Sequence, residues 1–499
     1  MTHTCQGRDA DKLYEWRNLP EEKKETNCSA EEASLLAFRN MFLQQQGQEN
    51  MHPQPDKTSG DADVFSKSSA RPRGSKAFSS DASTRKQGLR SIQALKDTNK
   101  SFQSDAHASS GFSPNPALEL RWCVGYTSQP AGNMLWTADS RSIIYSCSSN
   151  VICMNPDSNH QRFFLGHTNK VVVMALGPND SLLATCQEGK KPTIRLWEVS
   201  TGECVAMLNG HGSDVHCIDF NRQGTCIVAV GKEDKGAAKN FINLVVIWDI
   251  SQVLRGGKAI KIVEQHFEPS LIKMRYTPFE EDHLVSCGNE NIHLWRIKKI
   301  RDKYELRRIV LPLGPHGNQS FLDLAFEGSL GSADVMARKV YACTATGLVY
   351  QINYTNRTVD QIYRLHDSSI NALVVTDGFC VTGSSDRFLR VWPLDFSDYF
   401  LEAEHAAYVS ALSVSGDCLR IAIGTNNGTV GVMDVATHGY RTVVRSHESI
   451  VLALAMDPHN REFTTTASDG TIRIWDLDRQ HLKQVTDTDH YVSKIYLCF

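Results

Sequence analysis

From Leu118 to the C-terminus, apolar and polar residues alternate with a period of two in short runs, and Gly, Asn, Asp and Ser punctuate the ends of those runs. That pattern predicts half-buried β-strands joined by tight turns, not helices. The strands come in groups. Histidines that open an apolar run stand at His167, His211, His266, His316, His366, His405 and His447, and matching strand ends fall at Trp197, Trp248, Trp295, Ile352, Trp392, Met433 and Trp475. Successive histidines are 44, 55, 50, 50, 39 and 42 residues apart. The longer spacings contain extra residues, at Lys232 to Asn243, Lys298 to Arg308 and Gly328 to Arg338. A degenerate unit from about Leu120 to Leu165, with Met154 in the slot of the tryptophan, precedes the seven His-led ones.

A repeat in the forties, framed by Gly-His and Trp-Asp and holding four short strands, is the signature of WD-repeat β-propeller blades. The expected fold is therefore all-β, a propeller of seven or eight four-stranded blades over residues 118–486, preceded by a largely disordered tail. In this class the outer strand of each blade comes from the start of the following repeat, so the last blade needs a separate closing segment. Leu120 to Tyr126 and Leu482 to Thr486 are the two candidates. Residues 487–499, with YVSKIYLCF at the end, look like the first strand of a further unit. Such an ending is expected of a truncated or alternatively spliced product of a longer array.

Two units carry a full set of blade chemistry. His366, Thr382, Asp386 and Trp392 in the sixth unit after the degenerate one is counted, and His447, Thr465, Asp469 and Trp475 in the eighth, stand at the offsets of a buried relay: carboxylate to imidazole, imidazole to hydroxyl, hydroxyl to indole. Burial demands that each of these polar atoms find a partner. The same residue types could be read as metal ligands or as a hydrolase triad, but their recurrence at the repeat period makes them structural tetrads. Other units drift: the second has His167, Thr185 and Trp197 with Glu188 near the turn, the seventh has Asn427 and Met433, and the fifth keeps only Thr346 and Ile352.

The tail, residues 1–117, is rich in Ser, Gln, Asn, Asp, Lys and Pro without apolar periodicity, and cannot bury enough surface to order itself. Within it, residues 31–46 read as a short helix: Ser29 and Glu32 form a capping box and Leu35, Phe38 and Phe42 share a face. The net charge of −3 gives no field for a polyanion, which argues against nucleic acid. The 14 cysteines show no C-x-x-C pair or zinc spacing, which fits a reducing compartment. No signal peptide and no apolar run long enough for a membrane helix occurs. Nucleotide-binding loops, the nucleophile elbow and the zinc-protease motif are absent, so neither an enzyme nor a cofactor, metal or small-molecule substrate is expected. Basic stretches at Arg71 to Lys76 and at Lys298, Lys299, Arg301, Lys303, Arg307 and Arg308 could meet an acidic surface such as a tubulin tail, or could simply be solvated.

RFFLGHT at Arg162 to Thr168, FLRVWPLDF with LEAEH between Phe388 and His405, and RSHESIVLALAMD at Arg445 to Asp457 go beyond generic blade chemistry. With them, Leu120 to Val485 resembles the first propeller region of the WD repeat-containing protein 90 family. The resemblance implies a scaffold of the centriole wall and of cilium assembly, in the cytoskeleton at the centriole or basal body. It implies other centriolar scaffold proteins, and tubulin, as partners. Full-length members resemble a series of propellers preceded by a small β-rich microtubule-binding domain, and this chain is expected to begin in the linker after that domain, so the resemblance carries propeller contacts further than direct microtubule binding. A competing reading is a substrate receptor of a cullin-type ubiquitin ligase. Those receptors carry W-D-x-R, whereas here the strands end Trp248-Asp249-Ile250-Ser251 and Trp475-Asp476-Leu477-Asp478.

Overall fold

A computed structural model describes residues 120–130, 132–234, 241–268, 270–301, 303–327 and 338–488. The tail, its expected helix at 31–46, half of the insertion at 232–243, most of that at 328–338 and the C-terminal remnant from 489 lie outside those residues. The described chain folds into eight antiparallel sheets, each of four strands in sequence order. Their inner strands are Met134–Trp136, Val171–Leu176, Val215–Phe220, Lys273–Tyr276, Phe321–Glu327, Ile370–Val375, Val409–Val414 and Val451–Met456. The alternation of the sequence becomes two apolar faces per sheet, one for each neighbour. In the sixth sheet all of Phe379–Ser384 is buried.

Seven of the sheets close a ring, and six of its seven joints are stitched by polar groups on or beside the inner strands; the joint between the second and third sheets is bridged from a turn instead, where the Gly189 N–H donates to Asp214 at 2.9 Å. Asn133 Nδ2 donates to the Val172 carbonyl at 2.9 Å, and the Tyr276 N–H to Asp219 at 2.7 Å. Arg275 pairs with Asp323 at 2.8 Å, and Asp323 also accepts from the Leu373 N–H at 3.3 Å. Asn371 Nδ2 donates to the Val409 carbonyl at 2.9 Å. The joint that shuts the ring lies between the seventh and first sheets. There the Gly132 N–H donates to the Ser410 carbonyl at 3.2 Å and the Trp136 N–H to Ser413 Oγ at 2.9 Å. At the rim Asp157 takes Arg420 at 3.1 Å and Arg441 at 2.8 Å.

Behind those contacts Tyr126, Met134, Trp136 and Tyr145 of one side pack against Ala411, Ala422 and Val430 of the other. Leu120 to Tyr126 forms no strand. Cys123 and Tyr126 pack into the closing seam instead, and Tyr126 is 7% exposed. Truncating this side chain should leave a cavity in the closing joint. Tyr126→Ala is expected to destabilise the ring by about 3–5 kcal/mol, read as a lower midpoint in urea unfolding with an unchanged slope.

The eighth sheet stands outside the ring. Its outer strand is its own, His481–Asp487, hydrogen-bonded to Thr471–Asp476, so the later of the two candidate closing segments completes this sheet locally. Its inner strand has no neighbouring inner strand among the described residues, and Val451 and Leu454 are 49% and 60% exposed. The 118–486 region thus holds a seven-bladed ring, Met134 to Arg445, and one additional sheet. The reason is geometric: once the first and seventh blades meet, no gap remains for another wedge. Trp122 links the two parts, its ring edge-on to Trp475 at 5.8 Å and to Phe463 at 6.0 Å.

Candidate functional site: buried relays and exposed surfaces

The relay positions follow from strand register. The indole of the third strand lies opposite a residue of the second strand, and the hydroxyl comes two residues later on that second strand, on the same face of the sheet. Trp392 pairs with Cys380, which puts Thr382 in place, and Trp475 pairs with Phe463, which does the same for Thr465. In the sixth blade His366 Nδ1 lies 2.8 Å from Asp386, His366 Nε2 2.8 Å from Thr382 Oγ1, and the Trp392 indole N–H donates to the same hydroxyl at 2.9 Å. The eighth sheet repeats this with His447 to Asp469 at 3.0 Å, His447 to Thr465 at 2.8 Å, and Trp475 to Thr465 at 2.8 Å. An acceptor carboxylate at Nδ1 fixes the proton there. Nε2 therefore accepts from the hydroxyl, whose oxygen in turn accepts from the indole, and every polar atom is satisfied.

The turn that carries the acid needs the left-handed region one residue later. Gly470 sits at φ 76° and Gly428 at 81°, while in the sixth blade Arg387 adopts 77° despite its side chain. Burial disfavours the charged form of Asp469. The Thr471 hydroxyl, the N–H groups of Glu448 and Thr471, and His447 outweigh that penalty and hold the carboxyl down at about 2. Burial lowers the His447 imidazole below its usual range, against the pull of Asp469.

The second blade has a relay that the sequence only half disclosed. His167 Nε2 lies 2.6 Å from Thr185 and the Trp197 indole donates to that hydroxyl at 2.7 Å, but the partner of Nδ1 is Gln187 at 3.1 Å, not Glu188. The Glu-centred reading looked one residue too far along. In the fourth blade Trp295 donates to Ser286 at 2.7 Å, a link that the same register rule would have found, since Trp295 pairs with Leu284. By that rule the third, fifth and seventh blades carry Ala229, Ala342 and Ile423 in the hydroxyl slot, because Trp248, Ile352 and Met433 pair with Ile227, Val340 and Ile421. Their relays are replaced by packing.

The seven candidate opening histidines divide accordingly. His167, His366 and His447 are relay members; His211 and His405 are buried at the equivalent place, against Trp248 and Tyr440. Burial pushes the imidazoles of His167, His211 and His405 down to about 4. His266 and His316 are exposed, and His266 bonds Glu233 at 2.7 Å on the outer strand of the third blade. The fourth and fifth units therefore open without a relay histidine, and their alternation and the strand ends at Trp295 and Ile352 mark them instead. No group of three or more His, Cys, Asp or Glu side chains among the described residues is arranged to hold a metal ion.

What is exposed differs from what is stapled. The inner strand of the eighth sheet presents Val451, Leu452, Leu454 and Met456 to solvent, as does Ile450 just before it. On the fourth blade the last two strands, Asn291–Ile300 and Lys303–Val310, carry exposed Arg and Lys side chains.

The WD domain, G-beta repeat model matches residues 158–198, 202–236 and 440–476. WD repeat-containing protein 90 of Xenopus tropicalis is 34% identical over 383 residues, covering 73% of this chain and 20% of the relative. Centriole proteome protein 16 of Chlamydomonas reinhardtii is 35% identical over 360 residues, 67% of this chain and 17% of the relative. Echinoderm microtubule-associated protein-like 4 of Homo sapiens is 23% identical over 400 residues, 74% of this chain and 38% of the relative. The chain spans about a fifth of the length of the first of these. With this likeness covering about three quarters of its length, the chain belongs to the WD repeat-containing protein 90 family.

Proposed function

We propose that this chain is a non-enzymatic scaffold of the centriole wall and of cilium assembly, associated with microtubule-based structures in the cytoskeleton. Its polar clusters staple blades together and leave binding to exposed surfaces. In this reading His366, Thr382, Asp386 and Trp392, and likewise His447, Thr465, Asp469 and Trp475, have no catalytic duty, because each of their polar atoms is already committed to a neighbour. The observation that carries the proposal is the likeness, above 30% identity over two thirds or more of the chain, to relatives that include one named for the centriole proteome. Its partners are other centriolar scaffold proteins and tubulin. The weaker likeness to a microtubule-associated protein points the same way.

A tagged copy of the chain should concentrate at centrioles or basal bodies in ciliated cells. A diffuse signal in cells whose centrioles stain normally for other wall proteins would overturn the proposal. A version starting at Pro114 should localise as the whole chain does, since the recruiting surfaces are assigned to the sheets.

A further inference from the structure

The hairpin of the fourth blade outruns the rest of its sheet. Its third strand, Asn291–Ile300, pairs with the second strand only as far as Arg296, which lies opposite His283. It pairs with the outer strand, Lys303–Val310, all the way to Ile300 opposite Lys303. From Lys298 to Glu305 the hairpin is therefore a two-stranded ribbon with no third strand on the inner side. Both its faces are wet: Lys298, Lys299, Lys303 and Glu305 are exposed, and so are Ile300 and Tyr304, at 42% and 39%. A two-stranded ribbon gains little from its own pairing, and these side chains add nothing to the core of the blade.

The ribbon's charge is lopsided. Between Arg296 and Arg308 the sequence has seven Lys and Arg against Asp302 and Glu305, a local net of +5 in a chain whose total is −3. Arg296 lies directly opposite Arg307, and Lys298 opposite Glu305, on one face of the ribbon. Like charges facing each other across strands repel, which an intervening anion relieves. Glu305 is spent on Arg307, at 3.4 Å, with both side chains about half exposed. Arg296, Lys298, Lys299, Lys303 and Arg308 form no ion pair with a described residue.

We propose that this ribbon is a docking site for an extended acidic peptide. Alternate side chains of an extended strand recur about every 7 Å, a repeat that a second strand laid along the ribbon shares. Glu or Asp at every second position would then meet the Arg296, Lys298, Lys303 and Arg307 face in register. Ile300 and Tyr304 at the tip supply apolar contact for the peptide backbone, and Lys299, over the Tyr304 ring at 5.5 Å, holds that ring in place. The inference deepens the scaffold reading by giving one partner a chemistry. It stands on the ribbon, however, so either can fail without the other.

The test uses the full chain and a fluorescent peptide of about ten glutamates, with the glutamine peptide of the same length as control, followed by anisotropy. The combined K298Q, K303Q and R307Q substitutions, all at exposed positions, are expected to weaken binding of the glutamate peptide by about tenfold or more. K190Q with K191Q, exposed on the second blade, should leave it within about twofold. A photo-crosslinker on the glutamate peptide should label residues between Arg296 and Val310. Equal affinity for the glutamine peptide, undiminished affinity in the triple variant, or labelling elsewhere would each overturn the proposal. Because this binding is read in solution, it is independent of where the tagged chain sits in a cell.

Discussion

Taking the protein from pH 7 to pH 5 is expected to lower the melting temperature of the ring by about 5–10 °C. The cause is a set of imidazoles that the blades keep neutral. His167, His211 and His405 are each pushed down to about 4 by burial, against about 6.5 in an unfolded chain. Between those values the unfolded state binds more protons than the folded one, so stability rises with pH and is lost as pH falls from about 6.5 to about 4. At pH 5 each of the three costs about 2 kcal/mol, on the order of 5 kcal/mol together, set against a typical total of about 5–15 kcal/mol. Asp469, held at about 2, acts in the same direction, but its contribution is present above the usual carboxylate range and disappears only at lower pH, so it leaves the window from 7 to 5 untouched. Thermal unfolding followed by tryptophan fluorescence at pH 7, 6 and 5 measures this. A melting temperature constant to within about 2 °C across that range would mean that the imidazoles take up protons without leaving their sites. His405→Leu should flatten part of the slope, since the leucine has no proton to gain.

The reason the fold was legible, and part of the site was not, lies in what each depends on. Strand alternation and the spacing from histidine to tryptophan are local, so the eight sheets and the two complete tetrads could be placed from residue types alone. Register is a pairwise property. Gln187 replaces the acid of the second blade because its strand end, opposite Val171, brings it to the loop that carries His167, and Ser286 serves Trp295 diagonally across a strand pair, yet neither residue matches a motif. His266 and His316 show the opposite failure: they stand near the expected interval but on exposed backbone, because the long hairpins of the third and fourth blades shift where each unit opens. Ring closure was the least local question. Seven wedges meet because Trp136 and Gly132 reach Ser413 and Ser410, residues 277 and 278 positions away, and no single repeat records that count.

Thr382→Val and Thr465→Val are the same chemical change and are expected to have different consequences. Each replaces a hydroxyl that serves two buried partners at once, an imidazole Nε2 and an indole N–H, with a methyl group of nearly the same shape. Leaving a buried polar atom unpaired costs about 1–3 kcal/mol, so each substitution should remove about 2–5 kcal/mol from the unit that holds it. The units differ. Thr382 is fully buried in a blade with a ring neighbour on either side, so its loss is shared by the cooperative ring and should lower the main unfolding midpoint. Thr465 lies in a sheet whose inner strand is exposed at Val451, Leu452 and Leu454 and which Trp122 holds to the ring through two edge-on ring contacts. Its loss should instead appear as faster amide exchange confined to residues 451–487, with the main midpoint nearly unchanged. If Thr465→Val lowers the main midpoint as much as Thr382→Val, the eighth sheet folds as one body with the ring, and its exposed strand is then a surface of that body rather than the edge of a separate unit.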